Sequence, residues 1–267
     1  MTVPKAEPEA HDRRSLHERI AADLRDDIMS GELPPGANLP STAQLRTRFD
    51  ASNATIQKAL QLLKDERLVV GRAGAAVTVR EHRQRTIHPA TSLTPAAPGE
   101  PFPWLTEAAK HGTDARITLL DVTETNPPAD IRTALDLGDE DTAILRSQLL
   151  LIDDEPAELV KSYYPLDIAR DTPLTNHHRV KGGTATLLRQ LGHTPHHCVD
   201  RVSARVPTQE QFEALRLPGS LPVLCTLRVV YTADGRPIEV TSMVKAGHLY
   251  ELQYEFVPEA SGDRAER

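Results

Sequence analysis

Asn53, Thr55, Gln57, Lys58 and Gln61 fall on one side of a helix whose other side carries Ile56, Ala59, Leu60 and Leu63 at i, i+3, i+4 and i+7. A side-chain amide presents a donor and an acceptor together, the pattern of adenine's major-groove edge, and a lysine ammonium pairs with phosphate. A second set of reactive groups lies in the other half of the chain. Strand alternation puts Arg146, Gln148 and Leu150 on one sheet face, and Glu239, Thr241, Met243 and Lys245 on one face of a hairpin. If those faces meet in one pocket, charge of both signs lines it, which suits a small polar ligand. Thr184, just after Gly182-Gly183, opens a helix whose free N–H groups and hydroxyl could hold an anion beside Arg146. Two bland readings compete: an ion pair between Arg146 and Glu239 inside the sheet, and a simple capping role for Thr184.

Particular elements must position these residues. Leu16, Ile20, Leu24 and Ile28 recur every four positions, which predicts a first helix ended by Ser30-Gly31. Leu33-Pro34-Pro35-Gly36 forces a turn. Ser41 can cap a short second helix with Leu45 and Phe49 on its inner face, and Ser52 can cap the third. A two-stranded ribbon follows, so residues 15–80 read as a winged helix-turn-helix, a module that puts one helix into a DNA groove. On that reading Ser41, Arg46, Ser52, Asn53, Thr55, Gln57 and Lys58 meet double-stranded DNA. Arg72 and Gly74 of the ribbon could reach the backbone or minor groove, with a purely structural hairpin as the alternative for Gly74.

The stretch from the first helix through "SGELPPGANLPS" to "ATIQKALQLLKDERLV" resembles the N-terminal domain of the GntR family of bacterial transcription regulators. Its "SGEL-PG-LPS" pattern is specific, because a generic helix-turn-helix does not need that turn. The family usually carries arginines at the start and middle of its recognition helix, where this chain has Asn53 and Gln57. Arginine suits guanine whereas Asn and Gln suit adenine, each good bidentate pair discriminating by roughly 1–3 kcal/mol. The expected operator therefore depends less on guanine than is usual for the family. The wing also departs, with "GRAGAAVTV" standing where the family tends to end in Gly-Thr-Phe.

Composition constrains the remainder. The 267 residues carry a formal charge of −7 and are 39% hydrophobic. Such a chain can bury ordinary cores in about two domains, and it does not coat nucleic acid along its whole surface. Residues 31–85 nevertheless hold nine Lys or Arg against five acids. No apolar run approaches the roughly 18 residues needed to span a bilayer, and "MTVPKAEPEAHDRR" lacks the apolar core of a signal peptide, so a cytoplasmic protein is expected. Cys198 and Cys225 lack CxxC spacing and read as reduced core residues. His193, His196 and His197 cluster beside Cys198, but adjacent strand histidines point to opposite faces, so no metal is expected. Residues 1–14 and 259–267 read as polar tails. Residues 81–100, rich in Pro, Thr and Ala, read as an extended linker.

Residues 101–258 alternate strands with short helices. Strands are expected at "RITLLDV", "TAILRSQLLLI", "PAELVKSYYP", "CVDRVSARV", "PVLCTLRVVY" and "RPIEVTSMVK". Turns fall at Asp153-Asp154-Glu155 and Ala233-Asp234-Gly235. Helices are expected at "PPADIRTALDL", "GGTATLLRQLG" and "TQEQFEALRL". A strand-rich sheet with few helices makes the class α+β. The motifs "DEP…SYYP", "GGTATLLRQLG" and "DGRPIEV", in that order, resemble the UTRA effector-binding domain of HutC-type GntR regulators. The resemblance implies a chorismate lyase-like fold, a small-molecule effector, a homodimer and a palindromic operator, usually with repression relieved by ligand. Members that sense phosphosugars hold the phosphate with two arginines on the strand of Arg146 and a hydroxyl at the start of the Thr184 helix. Here Arg146 and Thr184 remain, but Gln148 stands for the second arginine. Glu239 matches a family carboxylate that binds ligand hydroxyl or amine groups, and Val160 and Lys245 stand where other members have Glu and Tyr. The implied effector contacts are Arg146, Gln148, Thr184, Glu239, Thr241 and Lys245, for a polar effector with at most one anionic group. The alternative is a small-molecule-binding protein or lyase-like enzyme using the C-terminal domain, with Arg146 and Glu239 holding substrate; no nucleophile with a base partner, phosphate-binding glycine loop or cofactor lysine motif is evident, so neither catalysis nor a cofactor is expected.

Overall fold

The computed structural model describes residues 12–71, 76–81, 85–87, 102–110, 112–219 and 221–255. The chain divides into two compact units, Met1–Arg83 and Gln84–Arg267.

In the first unit, helices α1 (Leu16–Ser30), α2 (Thr42–Phe49) and α3 (Asn53–Asp65) precede a ribbon of β1 (Val69–Val70) and β2 (Thr78–Val79). Ile20, Leu24 and Ile28 of α1 pack with Leu45, Ile56, Leu60, Leu63, Val69 and Val79 in one core. Leu16, first of the expected stripe, is left 39% exposed. Arg25 locks α1 to the end of α3 by donating through Nε and Nη2 to both Glu66 carboxylate oxygens at 2.7 and 2.5 Å. The Pro-Pro-Gly turn does more than reverse the chain. Gly36 at φ 77° donates its N–H to Val79, Leu39 donates to Val77, and Val79 returns a bond to Ala37. Residues 36–39 thereby flank β2 as a third strand of the ribbon, which fixes it against the helices.

The second unit is built on one antiparallel sheet. Its strands are β4 (Ala115–Thr125), β5 (Ala143–Ile152), β6 (Glu155–Pro165), β7 (His197–Arg205), β8 (Val223–Tyr231) and β9 (Pro237–Ala246), in the order β4-β5-β6-β9-β8-β7. All six were legible as strands, and Asp153 and Asp154 both take positive φ in the tight β5–β6 turn. On one face, α5 (Ala129–Ala134) sets Ile131 and the following Leu135 against Ala143, Tyr163, Val229 and Val240, while Leu215 and Leu217 after α8 (Gln209–Ala214) meet Val223, Cys225 and Val244. On the other face α6 (Leu166–Ala169), a 3-10 turn (Pro173–Thr175) and α7 (Thr184–Gln190) bring Ile168, Leu174, Leu187 and Leu188 onto Ile144, Tyr164, Val230 and Ile238.

Several elements were not foreseen, α6 and the 3-10 turn among them. A helix α4 (Pro103–Lys110) precedes β4, and β3 (Arg85–Ile87), inside the expected linker, pairs in parallel with β10 (Tyr250–Leu252). The Thr86 hydroxyl donates to Glu251 across that pair.

Candidate functional site

The polar side of α3 is presented as a continuous surface. Ser52 caps the helix by accepting the Thr55 N–H at 3.2 Å, and Ser41 accepts the Gln44 N–H at the start of α2. Asn53, Gln57 and Lys58 are exposed, as is Arg46 on α2. Thr55 is half-buried and its hydroxyl is bonded to Ser52 at 2.8 Å, so it shapes the helix start rather than facing outward. Gln61 donates to Asp65 at 2.7 Å and is occupied inside its own helix. Ala54, which periodicity did not single out, is exposed between the amides. Arg48 is taken up by Asp27 at 2.7 Å and lies over the Phe49 ring. Arg72 and Gly74 lie outside the described residues.

In the second unit, alternation and register place the strand-borne members of the expected set, Arg146, Gln148, Glu239, Thr241 and Lys245, on a single sheet face. Cross-strand pairs run Arg146–Ser162, Ser162–Thr241, Thr241–Arg228 and Arg228–Asp200, a polar row over five strands. Arg146 is 1% exposed. Its Nη1 donates to the carbonyls of Leu174 and Asn176 at 2.7 and 2.9 Å, and its Nη2 to that of His178 at 2.7 Å. It therefore clamps the 174–178 segment over the sheet instead of pairing with Glu239. Burial pulls its pKa below the ordinary value. Three of five guanidinium N–H groups are spent, and the buried Nε has no hydrogen-bond partner.

Glu239 sits in a nest of hydroxyls. Thr241 donates to it at 2.6 Å and is itself bonded to Ser162 at 2.8 Å, so the run of donors is Ser162 to Thr241 to Glu239. Burial pushes the Glu239 carboxyl up, against the opposing pull of Thr241, Arg228, Tyr164 and Thr184. The fully buried Tyr164 hydroxyl lies near Ser162, Thr184 and Glu239, with none at hydrogen-bonding distance. Thr184 is thus brought to Glu239, in the first turn of a seven-residue helix whose cap is Gly183. Gly183 is at φ 84°, ψ 166°, a region essentially reserved for glycine, and a Cβ there would stand 2.6 Å from the Phe102 ring.

Lys245 lies on that face as expected from alternation, in an ion pair that the sequence did not reveal. Its Nζ is 2.9 Å from Glu158, both side chains 5% exposed, so the cation is neutralised within the sheet. Gln148 is half-buried between Leu119 and Val160. Arg228 forks onto Asp200 with two bonds of 2.7 Å. Burial opposes its charge, but Asp200 outweighs that and raises the guanidinium pKa. Thr226, one row along, is buried with an unpartnered hydroxyl. Ser162, Tyr164, Thr226, Arg228 and Asp200 escaped the sequence reading, although alternation from Arg146 through a known strand register would have found all five. His197 stacks on Tyr231 at 4.8 Å, and among the described residues no three His, Cys, Asp or Glu could share a metal ion.

Comparison with known proteins decides the family. The UTRA domain matches residues 110–251, and the gntR family of bacterial regulatory proteins matches residues 16–79. The chain belongs to the GntR family and carries a UTRA domain. An HTH-type transcriptional regulator of Streptomyces coelicolor is 26% identical over 97% of this chain and 98% of its own length. The mannosyl-D-glycerate transport/metabolism system repressor of Escherichia coli is 34% identical over 26% of this chain and 29% of its own. A crystal structure of a GntR-family regulator superposes with a TM-score of 0.61 at 23% identity, covering 92% of this chain and 99% of that one. PhnF from Mycobacterium smegmatis gives 0.56 at 16%, over 89% and 99%. This GntR regulator is a transcriptional regulator with a DNA-binding winged helix-turn-helix and a UTRA effector domain. No helix among its described residues is long and apolar enough to cross a membrane.

Proposed function

We propose that this regulator is a cytoplasmic repressor that binds a palindromic operator as a homodimer, and that a small polar effector on the Arg146–Glu239 face changes its affinity for DNA. Asn53 and Gln57 read bases, Lys58 and Arg46 meet phosphates, and the capped starts of α2 and α3, with Ser41, Ser52 and Thr55, set the approach. The observation that carries the effector reading is the concentration of buried, unpartnered polar atoms on one sheet face: Arg146 Nε, the Tyr164 hydroxyl and the Thr226 hydroxyl. Buried polar groups are nearly always satisfied, and three orphans beside a hydroxyl-ringed carboxylate suit an occupant with its own donors and acceptors. The two N–H groups left on Arg146 suit one carboxylate or phosphate, whereas Glu239 suits a hydroxyl or ammonium. With Gln148 in the neighbouring position, a doubly clamped sugar phosphate fits poorly. The reading involves no catalytic step and no cofactor.

Chain connectivity supports a coupling to DNA. Phe102 of the segment after β3 rests on Gly183, next to Thr184, so an occupant at Glu239 alters what that segment packs against. The repressor reading gains support from the E. coli relative, which is a repressor, through its DNA-binding portion alone.

Selection of sites from random duplex DNA by the full-length protein tests the first half, and operator affinity with and without stabilising compounds from a thermal-shift screen tests the second. A palindromic winner, and a compound that lowers affinity for it, are expected. No enriched site, or operator affinity unchanged at saturating compound, refutes the respective half.

A further inference from the structure

The exposed face of α3 carries one apolar side chain among amides and a cation, and that side chain has a specific partner in DNA. At about 100° per residue, taking Asn53 as zero, Gln57 lies near 40°, Ala54 near 100° and Lys58 near 140°. Ala54 is therefore inside the polar arc, not at its edge. It is exposed, in the first turn of the helix directly after the Ser52 cap and Asn53. N-terminal residues of a recognition helix are those that reach base edges. Two polar competitors for that position are withdrawn, Thr55 by its bond to Ser52 and Gln61 by its bond to Asp65. Three short side chains remain at the entering end: Asn53, Ala54 and Gln57. Gln57 places its amide nitrogen 3.4 Å from Thr42 on α2, which leaves its carbonyl oxygen and second N–H outward.

A methyl group forms no hydrogen bond, so any base edge that offers only donors or acceptors loses water opposite Ala54 and regains nothing. The one methyl group that base edges present in the major groove is the 5-methyl of thymine, which projects further than the C5–H of cytosine. We infer that Ala54 is a specificity determinant that seats a thymine 5-methyl group, beside the adenine edge addressed by Gln57 or Asn53. The inference rests on the DNA-reading role proposed for α3. It extends that role from a weaker dependence on guanine to a positive requirement for thymine at one position in each half-site.

The test uses the duplex that the full-length protein selects, with each thymine of a half-site replaced in turn by deoxyuridine, which removes the methyl and leaves base pairing intact. One position loses about fourfold in affinity, the value of one methyl group withdrawn from an apolar contact, and the rest change little. The Ala54→Gly variant, measured on the same pair of duplexes, binds thymine and uracil equally at that position. Because the readout is a ratio within one protein, a modest loss of helix stability in the variant cancels. Indifference to uracil at every position overturns the inference, as does a uracil penalty that survives in Ala54→Gly, or a selected half-site without thymine. Failure to select any site refutes the DNA-reading role itself and is thereby distinguished.

Discussion

Replacing Arg146 with Met removes the clamp on the 174–178 segment while keeping most of the side-chain volume, and its cost can be worked from the bonds lost. Hydrogen bonds from a charged donor contribute about 1.5–3 kcal/mol each, and a buried acceptor left unpaired costs about 1–3 kcal/mol. The three carbonyls are not equivalent. Leu174 is fully buried, so its carbonyl stays dry when Arg146 is gone, whereas Asn176 and His178 are exposed residues whose carbonyls regain water. Removing a buried charge with an orphaned Nε also relieves a desolvation penalty. The net loss is then nearer one full bond and two partial ones, about 2–4 kcal/mol. For a unit of this size each kcal/mol lowers Tm by about 2–4 °C, so calorimetry on the full-length chain should show a second-unit transition lowered by roughly 4–16 °C. Amide exchange should accelerate first at residues 174–181, which includes the exposed His177 and His178. An unchanged Tm with unchanged exchange in that segment would refute the clamp and leave Arg146 as a ligand contact only.

Gly183→Ala forces a side chain into a glycine-only conformation and onto the Phe102 ring, for a loss of about 2–3 kcal/mol; Phe102→Ala should restore only part of the Tm, and full restoration would place the whole cost in the ring contact. Glu239→Gln should change how stability responds to pH. The folded pKa of Glu239 is raised, so its stabilising protonated state is full below the unfolded value near 4.3 and is lost as pH rises through the higher folded value. Chemical denaturation should accordingly show the variant gaining on the parent as pH rises through that window, and a difference that is the same below and above it would contradict the raised pKa. Lys58→Ala should weaken binding on all duplexes and lower the salt slope, whereas Asn53→Ala should mainly relax sequence choice; equal behaviour in a salt series would contradict that division.

What could be read in advance depended on whether the signal was local. Helix α3 was legible because Ile56, Ala59, Leu60 and Leu63 keep helical spacing and Ser52 caps the start, and all four are buried as expected. The β5–β6 hairpin was legible because Asp153-Asp154 tolerate positive φ between two apolar runs. By contrast, β3 and β10 are three residues each and carry too few positions for a period to show. The Pro-Pro-Gly segment read as a turn because its strand-like bonds go to Val77 and Val79, some forty residues later. Lys245 read as a ligand contact because Glu158, its partner, faces it only once β6 and β9 are known to be neighbours. For Arg146 the obstacle was different in kind. Its partners are backbone carbonyls of an irregular segment, and backbone atoms leave no mark on side-chain pattern.

The β3–β10 pair gives the proposed coupling a physical constraint. A two-stranded parallel pair of three residues has little stability of its own. It is held because Tyr250, 2% exposed, packs into the cluster of Ile152 and Ala157 at the end of the sheet, and because β10 follows β9 after only three residues. The strand that carries Glu239 and Thr241 is therefore also the strand from which β10 hangs, and β3 begins two residues after the first unit ends at Arg83. A joint that borrows its order from β9 can be biased by small differences in how firmly β9 is held. Allosteric coupling of about 1–3 kcal/mol, enough to change operator affinity 5- to 150-fold, lies within the differential affinity available to one small ligand. A longer, self-sufficient pair would resist that bias, so the brevity of β3, which hid it in the sequence, is the property that a switchable joint requires.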